Sequence, residues 1–117
     1  GVQTCALPIL INETVNGITD AGRVWWVQAE TILGFYNAYE KTNNIKYLEA
    51  AKDLCKYIEK FLVDKKKNSE WYWKLAEDNS PIINMPIVEP WKCPYHNGRM
   101  CIEIIERMAK DREEAIS

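Results

Sequence analysis

"DAGRVWWVQAETILGFYNAYEKT", residues 20–42, decides what kind of fold this chain can make. Apolar side chains recur at Val24, Val27, Thr31, Phe35 and Ala38, with Trp26, Leu33 and Tyr36 between them, which is the spacing of a helix running from Asp20 to Lys41. A helix with so little polar circumference expects partners on more than one side. The "TNN" of Thr42–Asn44 reads as a helix stop followed at once by a new start. The adjoining stretch, "NIKYLEAAKDLCKYIEKFLVDKK", is a clean amphipathic helix. Its stripe is Tyr47, Leu48, Ala51, Leu54, Cys55, Ile58, Phe61 and Leu62, with Lys and Glu filling the other face. Together they predict a helical hairpin with one inner, apolar member and one outer, amphipathic member.

The period then changes. In "EWYWKLAEDNSPIINMP", Trp71 and Trp73 alternate with Tyr72 and Lys74, and "EDNSP" supplies turn residues, so a short β-hairpin is expected. Pro81, Pro86, Pro90 and Pro94 keep the next stretch extended. Helix spacing returns in "GRMCIEIIERMAKDREEA" through Met100, Ile104, Ile105 and Met108, with a charged end expected to fray. The class is therefore all-α: a helical hairpin, a short β-hairpin and a final helix. Residues 38–61 look somewhat like one tetratricopeptide unit, but no second copy is present, and a lone repeat cannot bury its own faces. A longer α/α architecture cut short fits better.

The composition is that of a soluble globular chain of at most one domain: 117 residues, 47% hydrophobic, 27% charged, net charge −2. No nucleic-acid partner is expected, because the lysines of "DKKKNSE" are countered by Asp64 and Glu70 and read as a solvated loop. No membrane span or signal peptide is expected either. Cys5, Cys55, Cys93 and Cys101 show no disulfide framework, so reduced thiols in a cytoplasmic protein are the expectation. The opening "GVQTCALPI" has no initiator Met, and it back-translates without a mismatch into a run resembling a sequencing-adapter oligonucleotide. Residues 1–9 are accordingly expected to be a translation artefact, and residues 10–117 the C-terminal part of a longer protein.

Two stretches could carry chemistry. "WKCPYHNGRM", residues 91–100, holds the single histidine, His96. Cys93, His96 and Cys101 offer three metal ligands where structural zinc needs four, and Cys55 sits in a helix stripe where a small buried hydrophobe is the better role. No metal is expected. His96 could be a helix cap or a satisfied core group. Yet it comes after a proline-stiffened segment at the mouth of a helix, beside Trp91 and Tyr95, flat side chains suited to stacking on a sugar. Arg99 could fix a carboxylate or a hydroxyl, or serve only as a surface ion pair. The second stretch, "RVWWVQAE" at residues 23–30, sets Trp25, Trp26, Gln28 and Glu30 on the first turns of an apolar helix. Polar groups there must find partners or face a cavity, though core packing and capping would also account for them.

"WWVQAE", followed after a helix pair and an aromatic hairpin by "WKCPYHNGRMCIEII", resembles the C-terminal third of the N-acylglucosamine 2-epimerase superfamily of (α/α)6 barrels. The "WKCPYH" run points to its cellobiose 2-epimerase branch. The resemblance covers about Val15 to Met108, and implies an isomerase that epimerises the reducing-end glucose of a β-1,4-linked disaccharide through an enediol(ate). On these positions it implies that His96 is a general acid/base at C2 and that Trp91 packs on the sugar. One of Trp25 and Trp26 would be a second sugar contact, with Gln28 and Glu30 in the motif in roles left open. It implies no cofactor, since histidine exists in both protonation states near neutrality and can take and return a proton directly. The partner histidine would lie in the missing N-terminal part of the barrel, so this chain alone is expected to be inactive. An N-acylglucosamine 2-epimerase, a mannose or sulfosugar isomerase, and a non-catalytic helical interaction module remain as alternatives.

Overall fold

A computed structural model describes residues 13–116; the artefact expected over residues 1–9 lies outside them. The chain runs through β1 (Glu13–Val15), β2 (Ile18–Asp20), β3 (Arg23–Val24), α1 (Trp25–Thr42), α2 (Ile45–Tyr57), β4 (Lys74–Leu75) and α3 (Tyr95–Ile116). Directly after α2 the chain continues in a π-helical segment, Ile58–Leu62. Strands β1 and β2 pair antiparallel, as do β3 and β4.

The helical hairpin forms as its sequence predicts. Asn43 adopts the left-handed conformation (φ 54°) and its N–H closes on the Tyr39 carbonyl at 2.7 Å, ending α1. Asn44 then caps α2 by accepting from the Lys46 N–H at 3.0 Å. Adjacent asparagines thus perform the stop and the start.

Which face of α1 goes inside differs from expectation. The buried stripe is Trp25, Gln28, Ala29, Ile32, Leu33 and Tyr36, whereas Val27 and Phe35 of the expected stripe are only partly buried. Both stripes have helical period, so periodicity alone could not rank them; the deeper one meets α2 and α3. Ala51 and Leu54 of α2, with Ile58 and Leu62 of the π-helical segment, close the core from the other side, while Cys55 and Tyr47, expected in that stripe, are exposed. In α3, Met100 is buried and Ile104 partly so, but Ile105 is 68% exposed, because one residue is a 100° step around the helix. The helix continues to Ile116 rather than fraying.

Three further corrections concern the extended segments. First, α1 begins at Trp25, not Asp20, because Arg23 and Val24 pair with Leu75 and Lys74. Second, the aromatic segment after α2 makes its ladder with β3; its expected return strand is reduced to a Leu75–Pro81 bridge, closed by Ala76 N–H to the Ser80 carbonyl (2.8 Å) and Ile82 N–H to the Lys74 carbonyl (3.0 Å). Third, the β1–β2 hairpin was not anticipated, although its Asn16–Gly17 turn, with φ 52° and 77°, is a strong hairpin signal. Between the ribbons the Lys74 side chain packs directly over Gly22, where a Cβ would lie 2.0 Å from Lys74 Cε and the lysine would have to shift.

The two isoleucines on different faces make a sharp test. Ile32→Ala should cost about 2–4 kcal/mol in denaturant unfolding, as a large-to-small change in a closed core. Ile105→Ala should stay within ~0.5 kcal/mol, the range of surface substitutions. Similar losses at both would mean that the α3 face is misassigned.

Candidate active site

The two ribbons and a proline bring the distant motifs together. Pairing of β3 with β4, extended by Trp25 N–H to the Trp73 carbonyl (3.0 Å), fixes the start of α1 against the aromatic segment. Pro94 opens α3, its carbonyl accepting from the Gly98 N–H at 2.8 Å, so His96 sits in the first turn. Between these ends lies a cleft of about 450 Å3, whose walls include Trp25, Trp26, Trp73, Lys74, Trp91 and His96. Four tryptophans in one cleft give it flat, amphipathic walls.

Behind His96 stands Glu30. His96 Nδ1 lies 2.8 Å from Glu30 Oε1, and one Arg99 guanidinium nitrogen lies 2.6 and 2.5 Å from the two Glu30 oxygens. The other terminal nitrogen of Arg99 donates to Glu103 at 3.1 Å. Burial on its own pushes the Glu30 carboxyl up, but hydrogen bonds from Arg99 and His96, and their charges, outweigh it and hold the group below its ordinary range. An ionised carboxylate only accepts, so Nδ1 carries the proton and Nε2 is the nitrogen left for chemistry. Aromatic rings fence the imidazole. Its centroid is 5.6 Å from Trp26, 6.5 Å from Trp25 and 5.1 Å from Tyr95.

The two adjacent tryptophans differ in depth: Trp25 is 4% exposed and stacks edge-on with Trp73 at 5.0 Å, while Trp26 is 43% exposed. Trp25 is therefore floor and Trp26 wall. Trp91 stands at the rim, 84% exposed. Gln28 is fully buried and does not line the cleft. Cys93 and Cys101 are exposed, and among the described residues no three His, Cys, Asp or Glu side chains gather as metal ligands.

Three groups around the site were not foreseen. Lys74 lines the cleft and pairs with Asp20 at 2.5 Å. Glu70 accepts from buried Asn97 Nδ2 and from the Trp71 N–H, each at 2.6 Å, tying the aromatic segment to α3. Lys92 is fully buried, its ammonium 2.8 Å from the Ile87 carbonyl and 5.3 Å from the Trp25 ring centroid. Burial pushes it below the ordinary lysine range. These contacts join residues far apart in sequence, and only the alternation of "WYWK" hinted at which side chains face one way.

The profile of the N-acylglucosamine 2-epimerase (GlcNAc 2-epimerase) family matches residues 9–97. A cellobiose 2-epimerase of Dictyoglomus turgidum is 54% identical over 99 residues, covering 85% of this chain and 25% of that protein. One from Ruminococcus albus is 47% identical over 98 residues, covering 84% and 25%. Among solved structures, the cellobiose 2-epimerase from Spirochaeta thermophila superposes with a TM-score of 0.82 at 36% identity, over 93% of this chain and 27% of that one. The chain thus has the fold of an α/α-barrel segment, and it spans about a quarter of the length of these relatives.

Glu30 makes the site's stability depend on pH in a defined direction. Its folded pKa is depressed, so its contribution is present above the ordinary carboxylate range and is lost as pH falls through the lower folded value. Thermal midpoints of the wild-type chain and Glu30→Gln should therefore differ most near neutrality and converge on acidification. A gap that does not change with pH would remove the Glu30 charge from the account.

Proposed function

This chain belongs to the N-acylglucosamine 2-epimerase family, and on that premise we propose that it is the C-terminal part of a cellobiose 2-epimerase, converting the reducing-end glucose of a β-1,4-linked disaccharide to mannose. The observation that carries the reading is the Glu30-held His96 in a tryptophan-walled cleft. The branch is favoured by identities of 54% and 47% to two cellobiose 2-epimerases.

Inverting C2 of an aldose requires the pyranose to open, a proton to leave C2 next to the aldehyde, and a proton to return on the opposite face. The intermediate is an enediol(ate). His96 Nε2 exchanges the proton on one face; the group on the other face comes from the remainder of the protein. Glu30 holds the imidazole in the tautomer that leaves Nε2 free, and Arg99 holds Glu30. Trp91 and Trp26 stack on sugar rings, where their exposure leaves face area for contact. Trp25 and the buried Gln28 act from beneath, as floor and support of the first turn of α1. Donors aimed at the developing oxyanion are enough to stabilise it.

The test is made on the full-length protein that carries this segment. Cellobiose, N-acetylmannosamine and mannose are offered in parallel, in heavy water. Cellobiose should be turned over best, with deuterium entering at C2. His96→Asn should lower kcat by about a thousandfold, the scale of losing a positioned acid/base. Glucose-to-mannose conversion without label at C2, or an unimpaired His96→Asn enzyme, would refute the mechanism. Preference for one of the other two sugars would move the chain to another branch of the family.

A further inference from the structure

At the tip of the rim the usual preference is inverted: the indole of Trp91 is out, 84% exposed, and the ammonium of its neighbour Lys92 is in, with no exposed surface. Lys92 is the only buried charged side chain among the described residues. Taking an ammonium out of water is costly unless it is well paired; here the Ile87 carbonyl and the Trp25 ring face receive it, and the Glu70 charge favours it from nearby. The backbone explains how the inversion is built. Glu89 N–H donates to the Lys92 carbonyl at 3.0 Å and Lys92 N–H to the Glu89 carbonyl at 2.9 Å, leaving Pro90 and Trp91 as a two-residue tip. Pro90 fixes its own φ. Lys92 then drives inward, and its ammonium reaches both Ile87, on the segment entering the turn, and Trp25, on the cleft floor.

We propose that Lys92 is a positioning residue for Trp91: its buried ammonium bolts the base of the Glu89–Lys92 turn to the cleft floor, which sets the height of the Trp91 indole over the sugar site. The assignment rests on the sugar-binding role given to Trp91 above. Without the bolt the turn keeps its backbone pair but loses its link to Trp25. The indole is then free to shift relative to His96, and the loss falls on binding rather than on proton transfer.

In the full-length protein, Lys92→Met keeps the length of the side chain and removes the charge and the donor. KM for cellobiose should rise roughly five- to tenfold while kcat stays within about twofold, the mark of lost uniform binding. Lys92→Arg retains a charged donor and should recover most of the affinity. Trp91→Ala should raise KM alone, and the double variant with Lys92→Met should fall short of the product of the two effects, because both act through one indole. An unchanged KM in Lys92→Met, or a multiplicative double variant, overturns the assignment. Fluorine NMR of 5-fluorotryptophan protein provides a readout that needs no turnover. The Trp91 line, identified by its loss in Trp91→Phe, should move or broaden in Lys92→Met, and a line that does neither overturns the tether. Absence of epimerisation in the wild-type protein would instead sink the functional reading, with the fluorine result still deciding the tether. Should Lys92→Met fail to fold, Lys92→Gln, a shorter neutral donor, carries the same comparison.

Discussion

The Glu30 carboxylate is the constraint on which the rest of the arrangement depends. It sits on α1 and is gripped by His96 and Arg99 from the first two turns of α3, with contacts of 2.8, 2.6 and 2.5 Å. Few buried apolar residues of α3 face α1: Met100 fully, Ile104 in part. The registry of the two helices is therefore fixed largely by polar contacts spaced along them. After Glu30 come Arg107 with Asn37 at 2.7 Å and the Tyr36 hydroxyl with Asp111 at 2.6 Å. Apolar packing tolerates sliding, whereas directional bonds between charged groups do not. The contact that orients the imidazole is also the one that holds its helix in place.

The extended segments do a different job. A two-residue ladder is too short to stabilise a sheet, yet β3–β4 ends at the first residue of α1 and beside Trp73, so its geometry is transmitted directly to the cleft. Asn97 and Glu70 anchor the opposite side of the same segment to α3. The cleft is in effect walled by loops whose ends are pinned to two helices. That is a sound way to place aromatic side chains, since rings lose little conformational freedom when their bases are fixed.

Much of this is legible in the amino-acid order alone. The stop and start at Asn43–Asn44 and the amphipathic face of α2 are local signals, and local signals need no partner to be read, whereas α3, expected from Gly98 onward, begins at Tyr95 and takes His96 into its first turn. His96, Trp91 and Glu30 stand out because a sequence with one histidine and a tryptophan pair leaves few candidates. The buried face of α1 is not legible, because two stripes of similar hydropathy compete and the choice lies with α2 and α3. Cys55 and Ile105 are misplaced for the same reason: a stripe in sequence becomes a buried surface only where another element covers it. Lys92 is invisible for a stronger reason. Composition predicts that a lysine beside a tryptophan points outward while the ring points inward, and a tight proline turn reverses both.

Arg99 changes what Glu30 presents to His96. A carboxylate alone behind a histidine would act chiefly as its counter-ion. Here the Glu30 charge is already met by Arg99, which is in turn shared with Glu103. The carboxylate then serves His96 mainly as a hydrogen-bond acceptor that fixes ring orientation and tautomer. The work is thereby divided: Glu30 orients the imidazole, and Arg99 carries the compensating charge.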